Sequence, residues 1–188
     1  MTHRIANHRP QSGFTLVETI AYVAIFSIFI SFALGFFWQM QQARIKSGIV
    51  REVKENAAQA FELLKTEVRN AQSVDAPGSQ LGQTLGTLSL TRTDGTALFD
   101  TALKSITVGG VPLEIRKLRL RLPGQLAEDA TSDHVTVARF EISDVGGAGL
   151  PTALRIQMTL ASVNPGQDPL YDFTMDFDST LSFRTETL

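Results

Sequence analysis

The side chain with the most chemistry to explain is one carboxylate in an apolar neighbourhood. Glu18 stands near the start of a greasy run, and residues 20–38 hold 19 positions without a formal charge. A carboxylate at the edge of such a span is costly to desolvate, so it marks a functional position and calls for a cation. Other reactive groups are sparse. The chain has no cysteine, which excludes a disulfide framework, a thiolate metal site and a cysteine nucleophile. Its histidines are His3, His8 and His134, a set that argues against a histidine metal cluster. Ser132, Asp133 and His134 are neighbours in sequence, but adjacency is not triad geometry. No G-x-S-x-G, phosphate loop or H-E-x-x-H occurs. Neither enzymatic activity nor a cofactor is expected.

Two charge clusters invite a binding reading. Arg116, Lys117, Arg119 and Arg121 form a basic run, with Lys117, Arg119 and Arg121 on the strand face opposite Leu118, Leu120 and Leu122. A nucleic-acid stripe would need interleaved aromatics, and the net charge is −2. A solvated strand face, paired with Glu114 or Glu141, is the plainer expectation. Asp168, Asp172, Asp176 and Asp178 could suggest calcium. Even spacing along a strand spreads the last three too far apart to close an oxygen cage, so a solvated face is again expected and no metal site is assigned.

The elements that position Glu18 follow from composition. Residues 1–13 are polar and carry Arg4 and Arg9 without an acid. Residues 14–38 are apolar on all sides, and at about 1.5 Å per residue they would cross a hydrocarbon core of about 30 Å. A secretory signal would have a shorter apolar region followed by a small-residue cleavage site. A simple membrane anchor would explain the hydropathy but not Glu18. If the chain were cut between Gly13 and Phe14, a new α-amine would appear about one helical turn before Glu18. In a packed bundle of helices that amine could pair with a neighbour's carboxylate.

Ser12-Gly13-Phe14-Thr15-Leu16-Val17-Glu18, followed by the apolar run, resembles the prepilin signature of type IV pilins, type II secretion pseudopilins and competence pseudopilins. The resemblance implies cleavage after Gly13 by a membrane aspartic peptidase, N-methylation of Phe14 and a filament-assembly role for Glu18. It also implies that the leader lies in the cytoplasm. Charge alone does not establish this, because Arg44, Lys46, Arg51 and Lys54 follow the span.

With no proline between Pro10 and Pro77, one helix from about Phe14 to about Ala71 is permitted, on the order of 85 Å long. Its second half, residues 39–72, is amphipathic: Ile45, Ile49, Val53, Ala57, Ala60, Phe61, Leu64 and Val68 mark one face. Gly35 and Gly48 are its weak points, through loosening or close packing. Residues 73–188 alternate with period two over 85–93, 103–108, 111–122, 135–142, 154–163 and 171–183. Asp94-Gly95, Gly109-Gly110, Gly146-Gly147 and Asn164-Pro165-Gly166 mark turns. The expected fold is α+β: a long N-terminal helix packed by its amphipathic half on a C-terminal antiparallel sheet.

The helix end at residues 63–71 and the closing segment at residues 177–184 resemble minor pilins and minor pseudopilins. The expectation is therefore a minor structural subunit of a type IV pilus or type II secretion pseudopilus. A major pilin, a DNA-uptake (competence) pseudopilin and a membrane-anchored extracytoplasmic binding domain are the alternatives. The implied location is the inner (cytoplasmic) membrane, single-pass with the C-terminal domain outside the cytoplasm, and then the filament. The implied partners are other pilin or pseudopilin subunits, prepilin peptidase, the inner-membrane assembly platform and, before assembly, membrane lipid. Nucleic acid is not expected among them.

Overall fold

The first apolar segment does form a helix, and it runs straight into the second. In the structure, a computed structural model that describes residues 15–146 and 153–183, α1 spans Leu16–Asn70. It continues through Gly35 and Gly48, where an added Cβ would meet nothing within 4 Å. The chain forms two compact units, Met1–Ala43 and Arg44–Leu188, and α1 contributes to both.

In the first unit the large apolar side chains of α1 stay uncovered: Leu16 is 77% exposed, Phe32 76% and Trp38 68%. The hydroxyls among them are satisfied within the helix. Ser27 Oγ donates to the Val23 carbonyl at 2.7 Å and Ser31 Oγ to the Ser27 carbonyl at 2.8 Å. Such internal bonding suits a medium without water. By length and composition α1 is able to cross a membrane.

In the second unit the amphipathic face is buried through Val53, Ala57, Ala60, Leu64 and Val68. Ile45 remains 39% exposed, and Phe61 is partly buried, stacked on Phe177 with ring centroids 6.3 Å apart. The buried stripe belongs to one core with Leu88, Leu90, Phe99, Leu118, Phe140, Ile156 and Met158. Each large apolar side chain buried in this way contributes about 1.5–3 kcal/mol.

The strands are β1 (Ser73–Val74), β2 (Leu88–Arg92), β3 (Gly95–Val108), β4 (Val111–Arg121), β5 (Glu128–Asp129), β6 (Val135–Asp144), β7 (Ala153–Ser162) and β8 (Thr174–Ser182). All ladders between them are antiparallel. The α+β architecture is the expected one, and the six alternating segments each lie on a strand. Gly109 and Gly110, both at positive φ (58° and 84°), close the β3–β4 hairpin, the backbone a tight primed turn demands. Gly147 of the expected Gly146-Gly147 turn lies outside the described residues.

One feature differs from expectation. The strands form two sheets, β1-β2-β3-β4-β5 and β6-β7-β8, rather than one. The physical reason lies on the outer edge of β4. There β5 pairs only with Arg119 and Leu120. Nearby N–H groups donate to threonine hydroxyls instead of a strand: Leu118 to Thr131 Oγ1 at 3.3 Å and Arg116 to Thr136 Oγ1 at 3.0 Å. The edge of β4 is satisfied without a full ladder to β6, so the sheet divides there.

Candidate functional site

Glu18 lies in the first turn of α1. Thr15 precedes the helix, and its Oγ1 accepts the Glu18 N–H at 3.3 Å. Thr15 is therefore the N-cap and Glu18 the third helical residue, the Thr-x-x-Glu arrangement of a capping box. The box is half made. Glu18 Oε1 accepts a hydrogen bond from Tyr22 Oη at 3.4 Å, one turn further on, so its described contact is a hydroxyl and not a cation. Its place at the helix start also suits the helix dipole. This local reason for an acid was legible as Thr15-x-x-Glu18, and it stands beside the assembly role expected of the same residue. Gly13 and Phe14, the expected cleavage and methylation residues, lie outside the described residues.

Around and beyond Glu18, Val17, Ile20, Val23, Phe26, Phe29 and Phe36 are exposed in the single chain. That surface has one acid, no base, and apolar groups on every side, and it calls for lipid or other apolar helices as its surroundings. Residues 8–34 match the family model of the prokaryotic N-terminal methylation motif. The chain carries a prepilin-type N-terminus. No significant match exists among curated proteins or among solved structures. The match covers the segment in which Glu18 and the apolar run were singled out. With the long helix and the antiparallel sheets that follow, it is consistent with a type IV pilin-like protein, and a motif of this kind implies a structural subunit.

The charge clusters behind this prepilin-type segment are used internally. The basic run was expected to be a solvated face, and Lys117 corrects that expectation. Its side chain is 1% exposed, with Nζ 3.0 Å from Asp133 Oδ1 in an ion pair whose angles fall short of a hydrogen bond. The same face of β4 carries Leu113 and Ile115, with Ile115 buried, so it turns from apolar to charged along its length. Arg119 makes a two-pronged pair with Asp100, directly across from it on β3, at 2.9 and 2.8 Å. Asp100 and Asp133 thus serve where Glu114 and Glu141 were expected. Of these four residues Arg121, at the end of the run, is the exposed one.

The acidic cluster also spreads. Asp176 and Asp178 lie on the exposed face of β8, and Phe177 on its inward face, as alternation required. Asp176 Oδ1 accepts from Thr159 Oγ1 at 2.6 Å, and Asp178 pairs with Arg155 and accepts from Gln157 Nε2 at 2.9 Å. Hydrogen bonds from Arg155 and Gln157 hold the Asp178 carboxyl at a pKa of about 2. Asp168 Oδ1 accepts the Leu170 N–H, a loop contact. Among the described residues no group of three or more such side chains is placed to hold a metal ion.

Proposed function

We propose that the chain is a minor subunit, a minor pilin or minor pseudopilin, of a type IV pilus or type II secretion pseudopilus. The precursor rests in the inner membrane with its leader inside and its sheet domain outside the cytoplasm. Prepilin peptidase cuts after Gly13 and methylates Phe14. The inner-membrane assembly platform then lifts the subunit into a bundle with other pilin or pseudopilin subunits. The helix exchanges lipid for neighbouring helices, so assembly is favoured by packing rather than by fresh burial from water. Glu18 supplies the specific contact by pairing with the N-terminal amine of an adjoining subunit.

One coincidence carries this reading. The motif at residues 8–34 overlaps the first part of α1, where the apolar side chains of residues 16–43 are all exposed and the one acid stands in the first turn. The capping role of Glu18 is a rival explanation of that acid, and Glu18→Gln separates the two. Glutamine retains the capping group and loses the charge. The expected outcome is normal membrane insertion with incorporation into filaments reduced at least tenfold, about the effect of losing 1.4 kcal/mol of pairing. Normal incorporation of Glu18→Gln would leave Glu18 a residue suited only to the helix start and refute the pairing. Abundance in sheared filaments distinguishes a minor from a major subunit: a minor one is present as a trace component.

A further inference from the structure

Residues 131–134 (Thr131, Ser132, Asp133, His134) form a short link that leads into β6. Each of the four points to a different neighbour. Thr131 Oγ1 accepts the Leu118 N–H of β4. The Ser132 N–H donates to Asn56 Oδ1 of α1 at 2.7 Å, and Asn56 is itself 7% exposed. Asp133 accepts from Lys104 Nζ of β3 at 2.9 Å and faces Lys117 Nζ of β4 at 3.0 Å. His134 Nε2 lies 3.9 Å from Glu52 Oε1 of α1. Sheet and helix are thus joined through three side chains, those of Thr131, Asp133 and His134, and the Ser132 amide.

We propose that residues 131–134 are a clasp between the five-stranded sheet and α1 that opens when Asp133 is protonated. The clasp depends on Lys117. Among the described residues its buried ammonium faces one carboxylate, that of Asp133 at 3.0 Å, so neutralising Asp133 strands a charge in the interior. Lys104 is less dependent, because it also bonds Asp129 of β5 at 2.9 Å and is 42% exposed. Arg119 is held by Asp100 and stays paired. His134 and Glu52, 73% and 43% exposed, sit in water and contribute little.

The sign follows from the carboxylate. Hydrogen bonding from Lys104 and the pairing with Lys117 hold the Asp133 carboxyl below its ordinary value of 3.8. Its contribution is complete above that value and is lost as the pH falls through the lowered one. Lys104, raised above 10.5 chiefly by its bonds to Asp133 and Asp129, fails only at the alkaline end. Opening releases the Ser132 amide from Asn56 and the Leu118 amide from Thr131.

The test is amide hydrogen exchange on the full chain in detergent, corrected for intrinsic rates, at pH 7 and through the acid range below pH 3.8. Expected is a local loss of protection, roughly tenfold or more, at Ser132 and Leu118, while core amides of β7 keep theirs. Asp133→Asn shows the same local loss at pH 7. Adding Lys117→Met to Asp133→Asn restores protection at pH 7 and removes the acid response, because no buried charge remains. The proposal fails if Ser132 and Leu118 are as protected in acid as at neutrality, or if acid opens β7 together with them. It also fails if Asp133→Asn is as protected as the parent, or if the double variant is no better protected than Asp133→Asn.

Discussion

Leu64→Ala probes whether the amphipathic half of α1 is part of the domain core. Leu64 is fully buried in the cluster that holds Leu88, Phe99, Phe140 and Met158. Its truncation removes three heavy atoms from the core and leaves a cavity that α1, held by the buried Ala60 and Val68 on either side of Leu64, fills only in part. The cost is about 2–5 kcal/mol. For a unit the size of Arg44–Leu188, each kilocalorie moves the melting point by about 2–4 °C, so the expected drop is roughly 4–20 °C. The preceding residue is the control. Leu63 is 40% exposed, and alanine is the better helix former, so Leu63→Ala stays within about 0.5 kcal/mol of the parent. Scanning calorimetry of both variants in the same detergent reads the difference directly, since the apolar segment is common to them. Equal melting points for Leu63→Ala and Leu64→Ala would refute the burial stripe and with it the packing of the helix on the sheets.

Two further outcomes follow from the surface pairs and the turn. The Asp178 carboxyl should titrate by NMR with a midpoint of about 2, and its favourable pairing with Arg155 should persist until the pH falls through that value; an ordinary midpoint near 3.8 would mean the Arg155 pair does not form in solution. Gly110→Ala places a side chain at φ 84° and should cost about 1 kcal/mol in urea unfolding, although no atom lies within 4 Å of the added Cβ; an unchanged midpoint would show that the turn is not of the primed type.

Much of this architecture was legible because its signals were periodic. Leu88 and Leu90 on β2, Leu118 on β4 and Phe177 on β8 alternate with polar neighbours, and the stripe from Val53 to Val68 recurs at helical spacing. The two-residue strands β1 and β5 were not legible, because two residues show no period. The break into two sheets was hidden for another reason. It depends on Thr131 and Thr136 reaching β4 from distant positions, and a threonine that bonds an edge looks in sequence like any other. Lys117 was misread because lysine is nearly always solvated. The pointer to its burial was Leu113 and Ile115 on its own face. At the N-terminus the assembly candidate was found from hydropathy broken by one acid. The capping pattern at Thr15 and Glu18 was equally visible there.

The central claim is that Phe14 becomes the first residue of a working subunit and so supplies the amine that Glu18 requires. Intact-mass analysis of the chain recovered from filaments tests it in one step. The account predicts a single species that begins at Phe14 and carries one added methyl group. A filament subunit that still begins at Met1 would contradict it.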